Sequence, residues 1–269
     1  MLADLENIQE FAVLSKHDLF TAFYKGKKVF VKQYKVRKGR RKGDIENMRC
    51  EMLCYSEGGF SDMVGFVGKS EKERVLVLEF CLFTRMKKTK KNIDRLFRLF
   101  CRDLQGAHVR HLLPRDYENY LLNVYLRARD LQRKKIIRNY ALIRKVFELN
   151  KKKLIRLEKN FSQGDFTFNN CKTHKGKIIV TDFEQARKDT PLYDLATLYV
   201  DLYSHPILRE YFLKKVKRLS YYDSTIFQLM KLRRAIELLY GFQFLDKRMR
   251  YFVNSKTIVD EFNFENLMG

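Results

Sequence analysis

Apolar and polar positions alternate over Val29 to Tyr34 with the two-residue period of a half-buried strand, and the first eighty residues are rich in such strand-like runs. EFAVL, LFTAFY and KVFVKQY predict three strands between residues 10 and 35, the last two joined by the turn Lys25-Gly26-Lys27. The basic, glycine-containing stretch KVRKGRRKGD (Lys35 to Asp44) reads as a loop. From Ile45 to Tyr55 the period lengthens, and Ile45, Met48, Met52 and Tyr55 fall on one side of a predicted helix that also carries Glu51 and Glu46. Two more strands are predicted around Met63 to Gly68 and Arg74 to Phe80. Beyond Phe83 the texture becomes helical, over Asn92 to Ala107, Tyr117 to Arg129 and Lys134 to Leu157. The pattern is that of an α+β chain, with a strand-rich part over residues 1–83 and a larger, mostly helical part over 84–269.

Apolar residues make up 45% of the chain and aromatics 14%, enough for a packed core and too many for a disordered chain. The strongest apolar run, VLVLEFCLF (Val75 to Phe83), is too short for a bilayer and is broken by Glu79, so it reads as a buried strand. The N-terminus, MLADLENIQEF, has no secretory pattern, which predicts a cytoplasmic protein. Five cysteines form no CxxC pair, and no histidine pair accompanies Cys50 and Cys54, so reduced thiols are expected rather than zinc. The unusual bulk property is charge: 55 Lys+Arg against 32 Asp+Glu, a formal +23. Such an excess favours an anionic partner: nucleic acid, a phosphate-rich ligand or a membrane surface. Basic runs such as RKKIIR and NKKKLIR sit on helical positions and read as solvated faces. No nucleic-acid-binding motif occurs, so specific nucleic-acid binding is not expected.

The chemistry concentrates between Ser162 and Glu184, SQGDFTFNNCKTHKGKIIVTDFE. Asp165 follows a glycine, Asn170 comes five residues later, and a hairpin turning at Lys175-Gly176-Lys177 delivers Asp182 at the end of a strand. A carboxylate, a carboxamide and a second carboxylate around one point suit phosphoryl transfer. One carboxylate orients the acceptor hydroxyl, and hard oxygen donors hold the magnesium that neutralises a triphosphate. Singly, Gly-Asp and Asn-Asn are ordinary turn formers and a strand-end Asp an ordinary cap. Their order and spacing together argue for a site.

This segment resembles the catalytic loop and metal-binding strand of the aminoglycoside phosphotransferase and choline kinase family, roughly His-Gly-Asp-x-x-x-x-Asn followed by a strand ending Asp-Phe-Glu. Thr190-Pro191-Leu192-Tyr193-Asp194-Leu195-Ala196 resembles that family's continuation. The resemblance implies a two-lobed protein-kinase-like fold, with a small antiparallel-sheet N-lobe and a larger, mainly helical C-lobe. It implies ATP and Mg2+ as cofactors, Asp165 as the catalytic residue, Asn170 and Asp182 as metal ligands, and Asp194 as a structural residue heading a helix. It also implies a lysine on the third strand, for which Lys32 is the candidate, with Glu51 as its partner and Glu46 as the fallback. Ser15, in the loop between the first two strands, would meet phosphate. Glu79, Phe80 and Cys81 would form the hinge that reads the adenine edge. His108 resembles a helix-end feature of the family and is given no catalytic role.

Two departures stand out: Gln163 occupies the place of the histidine, and the loop Ser15-Lys16-His17-Asp18 lacks glycine. The net charge fits a neutral or anionic acceptor, a small molecule or a glycan such as a lipopolysaccharide-core sugar. It also fits peripheral contact with an anionic membrane from the cytoplasmic side. An atypical protein kinase and a catalytically inactive binding or structural relative are the alternative readings.

Overall fold

The computed structural model describes residues 2–13, 17–36, 39, 41–58, 63–107, 109–243 and 250–268. The chain gathers into two compact units: Met1–Lys87 with Asp94–Leu113 and Gln163–Arg187, and Lys88–Ile93 with Pro114–Ser162 and Lys188–Gly269. The boundary expected at Phe83 falls inside the first unit, because the segment that carries Asp165 to Asp182 packs with the N-terminal residues rather than with the helices around it in sequence.

The first unit is built on an antiparallel sheet of β1 (Leu5–Val13), β2 (His17–Tyr24), β3 (Lys27–Tyr34), β4 (Phe66–Ser70) and β5 (Val75–Glu79), in the order β1-β2-β3-β5-β4. The two-residue period decides what each face carries. Val29 and Val31 join Ala22, Val75 and Val77 in the apolar cluster. Lys32 and Tyr34, at the intervening positions of β3, therefore share the opposite face and are also buried. Helix α1 (Arg41–Glu57) buries Met48, Glu51, Met52 and Tyr55, three and four residues apart. Glu51 is thus a carboxylate on an otherwise apolar stripe. The short strand β6 (Thr84–Arg85) leads towards α2 (Lys90–Leu99), which ends in a single π-helical turn over Phe100–Leu104.

The second unit is helical: α3 (Tyr117–Arg133), α4 (Tyr140–Arg156), α5 (Pro191–Asp201), α6 (Pro206–Val216), α7 (Ser224–Phe242) and α8 (Arg250–Asp260), with short strands β7 (Asn160–Ser162) and β10 (Arg187–Asp189). A single helix over Lys134 to Leu157 does not form. Lys135 takes a left-handed backbone (φ 57), which ends α3, and α4 starts only at Tyr140. Arg233, fully buried, lies 3.7 Å from the centroid of the Tyr193 ring and 4.0 Å from that of Tyr120, with Asp189 as its ion-pair partner at 3.0 Å. Asp194 is buried in the first turn of α5 and accepts from Ser162 Oγ at 2.9 Å. Among the described residues, no helix is long and apolar enough to cross a membrane.

Candidate active site

Between β7 and β10 the chain forms the hairpin of β8 (Cys171–His174) and β9 (Lys177–Val180). Lys175 (φ 47) and Gly176 (φ 79) make its two-residue turn, whose paired positive φ angles match the twist of the strands. The loop before the hairpin carries Asp165 and Asn170, and the exit of β9 carries Asp182. Three sets of hydrogen bonds hold the loop, two of them to that exit. The Asn170 carbonyl accepts from Thr181 N at 2.9 Å and from Thr181 Oγ1 at 3.1 Å. Asn170 Nδ2 donates at 2.9 Å to both the backbone oxygen and Oδ2 of Asp165. Gln163, fully buried, donates through Nε2 to the carbonyls of Thr181 (3.1 Å) and Asp182 (2.6 Å), while its Oε1 accepts from Asp165 N at 2.7 Å. A glutamine can serve here because one amide supplies both the donor and the acceptor the loop requires.

Gly164 makes this approach possible. It has φ +85, and a Cβ built there would lie 2.2 Å from the carbonyl oxygen of Gln185. Gly164→Ala is expected to destabilise the protein by about 1–3 kcal/mol, since backbone must yield on both sides. Urea unfolding checks this, and an unchanged midpoint would contradict the packing described.

Lys32 Nζ lies 2.6 Å from Glu51 Oε2, 2.9 Å from Glu184 Oε1 and 4.0 Å from Asp182 Oδ1. The partner of Lys32 on α1 is therefore Glu51, not Glu46. Tyr34 donates its hydroxyl to the same Glu51 oxygen at 2.7 Å, and His17 Nδ1 stands 3.2 Å from Glu184 Oε1. Burial alone would lower the Lys32 pKa, but Glu51, Glu184 and Asp182 outweigh it and hold the ammonium above the ordinary lysine range. One oxygen from each of Glu51, Asp182 and Glu184 lies within 4.8 Å of the others, a grouping that suits a cation. The Lys32 ammonium already meets all three.

Asp182 is the strained member. Its φ of 63 is rare for a residue other than glycine. Burial, only partly offset by Lys32, pushes its carboxyl up to about 7, with Glu51, Glu184 and Asp165 adding repulsion. Its side chain is nevertheless 45% exposed, so it forms the wall of an open cleft rather than part of a sealed core. The folded chain holds a proton there that the unfolded chain releases near the ordinary value of 3.8. The contribution of Asp182 to stability therefore falls as pH rises from about 4 to about 7. Asp182→Asn is expected to raise the melting temperature more at pH 8 than at pH 4. An equal change at both would contradict this environment.

The cleft itself has a volume of about 600 Å3 and is lined by Lys32, Glu51, Asn170 and Asp182 together with Leu19, Phe30, Val64 and Leu78. The chain leaves the sheet at Glu79 and lines the cleft from there through Phe83, so the expected hinge residues Glu79, Phe80 and Cys81 share a wall with Lys32. Ser15 and His108 lie outside the described residues. Sequence reasoning gave no role to Tyr34, Glu184 or His17. Two of these had a signal: Tyr34 is two residues from Lys32 on one strand face, and Glu184 is two residues beyond Asp182.

The fold matches solved structures along nearly its whole length. Choline kinase LicA from Streptococcus pneumoniae superposes with a TM-score of 0.62 at 15% identity, covering 97% of this chain and 94% of that one. A thermostable mutant of aminoglycoside phosphotransferase APH(4)-Ia, in ternary complex with ADP and hygromycin B, gives 0.69 at 11% identity, covering 95% and 92%. Spectinomycin phosphotransferase APH(9)-Ia, with ADP and spectinomycin, gives 0.60 at 14%, covering 97% and 90%. The chain has their fold: two-lobed, α+β and protein-kinase-like. No family model matches the sequence, and no curated protein matches it.

Proposed function

We propose that the chain is an ATP- and magnesium-dependent phosphotransferase that phosphorylates a hydroxyl of a small molecule or glycan. The observation that carries this reading is Lys32, joined to Glu51 at 2.6 Å and facing Asp182 across 4.0 Å in a cleft that Asn170 also lines. In this reading Lys32 contacts the nucleotide phosphates and Glu51, steadied by Tyr34, orients it. Glu79, Phe80 and Cys81 meet the adenine edge. Asp165 orients the acceptor hydroxyl and takes its proton.

The donor set fits magnesium. Asn170 spends its amide N–H groups on Asp165, which leaves Oδ1 for a ligand, and Asp182 presents a half-exposed carboxylate beside it in the same cleft. Both are hard oxygen donors. When bound, the ion would neutralise charge on the nucleotide phosphates. The likeness to structures holding ADP and to a choline kinase supports a nucleotide cleft and a small-molecule acceptor. Against the protein-kinase alternative, β10 and α5 follow Asp182 within nine residues, and no long activation segment intervenes.

The net charge of +23 favours a neutral or anionic acceptor, such as a lipopolysaccharide-core sugar or another phosphorylated glycan, met at the inner face of an anionic membrane. The test is transfer of labelled phosphate from ATP to a panel of sugars, glycolipids, amino alcohols and aminoglycosides. The reading expects turnover with a neutral or anionic acceptor. Turnover confined to polycationic aminoglycosides would overturn the acceptor class, and none on any hydroxyl compound would overturn the activity.

A further inference from the structure

Most deeply placed cations of this chain have a carboxylate partner. Lys32, Lys88, Arg115 and Arg233 each form an ion pair within 3.2 Å. Among the described residues, the partly buried Lys231 and Arg209 in the helical unit do not. Lys231, half-buried on α7, rests its Nζ 5.5 Å from the centroid of the Tyr199 ring and 5.8 Å from that of Phe262. Arg209, on α6, places its guanidinium 4.4 Å from the Tyr203 ring and 5.8 Å from the same Tyr199 ring. Among the described residues, neither cation has a carboxylate within ion-pairing distance. Arg209 donates one hydrogen bond, to the Tyr203 carbonyl at 3.3 Å, and keeps the rest of its five N–H groups. The neighbouring Glu261 is exposed and accepts from the Tyr203 hydroxyl at 3.0 Å.

Two like charges held against one ring, partly out of water and, among the described residues, with no carboxylate in ion-pairing distance, are unfavourable unless something anionic joins them. Aromatic faces supply only part of that compensation. We propose that Arg209 and Lys231 form an oxyanion-binding site, sharing no residue with the cleft around Lys32, that takes a phosphate group. The guanidinium offers a planar fork to two phosphate oxygens and the ammonium a point charge to a third, over a floor of Tyr199 and Phe262. Burial, together with repulsion from Arg209, pushes the Lys231 ammonium down to about 8, the response expected of a cation whose partner has yet to bind. The inference does not depend on the phosphotransferase reading.

The experiment titrates the full-length protein with inorganic phosphate and, separately, with glucose 6-phosphate, at matched ionic strength in chloride, by calorimetry and by melting temperature. Phosphate is expected to bind and to raise the wild-type melting temperature. Lys231→Met and Arg209→Gln should each weaken binding about tenfold or more, the value of a lost charge-assisted hydrogen bond. Lys152→Met, which removes the same charge from an exposed helix position, should leave binding unchanged. Without phosphate, Lys231→Met should melt no lower than wild type, because an uncompensated charge has been removed. Tighter binding of the ester would assign the site to an organic phosphate, and equal binding to the free ion. Wild-type binding by Lys231→Met, an equal loss in Lys152→Met, or a lower melting temperature for Lys231→Met would each overturn the proposal.

Discussion

Replacing Asp165 with alanine is expected to reduce phosphoryl transfer by about 10^2–10^4-fold while leaving ATP affinity within a few-fold of wild type. The asymmetry follows from where the residue sits. Asp165 is bonded to Asn170 on the loop before the hairpin, whereas Lys32 and Glu51 stand on β3 and α1 and the 79–83 wall is the end of β5 and the residues after it. On the proposed function, losing one carboxylate from the loop removes the group that orients the hydroxyl and leaves the nucleotide side standing. Asn170 would lose its Oδ2 acceptor but keep the backbone oxygen of residue 165 at 2.9 Å, so the loop should hold its shape. Single-turnover assays with a responsive acceptor, alongside nucleotide titration, separate the two effects. Turnover at wild-type rate in Asp165→Ala would show that the assigned role is wrong.

The second large effect is expected at Lys32. Lys32→Met should abolish measurable ATP binding and also destabilise the protein by about 3 kcal/mol, the lower end of what breaking a buried ion pair costs. The low end applies because Glu51 still accepts from Tyr34 at 2.7 Å. Lys32→Arg would retain the charge but cannot fit the same three-carboxylate grouping, so it should recover stability in part and binding hardly at all. Denaturant unfolding of both variants checks the order. A methionine variant as stable as wild type would mean that the carboxylates around Lys32 relax at no cost.

The site was legible in the sequence where chemistry and local structure coincide. Asp165, Asn170 and Asp182 stand at fixed spacings around a hairpin whose turn is written in Lys175-Gly176, and Lys32 lies on a strand with a clear two-residue period. What escaped were residues whose importance depends on the other side of the fold. The sequence prefers Glu51 to Glu46 as the partner of Lys32 without fixing it by spacing; burial with Met48, Met52 and Tyr55 and the 2.6 Å pair single it out. Gln163 reads as a lost histidine until the carbonyls of Thr181 and Asp182 appear within reach of its amide. In the helical unit the sequence predicted one helix over Lys134 to Leu157, because no glycine or proline marks the break. The left-handed turn falls on a lysine, which gives no local warning. Arg209 and Lys231 likewise look like two more surface cations in a very basic chain, and only the aromatic rings beneath them set them apart.

The most direct test of the central claim is a calorimetric titration of the wild-type chain with ATP, with and without magnesium. One nucleotide is expected to bind per chain, more tightly when magnesium is present, with the magnesium-dependent gain lost in Asp182→Asn. Absence of ATP binding, or affinity indifferent to magnesium in the wild type, would contradict it.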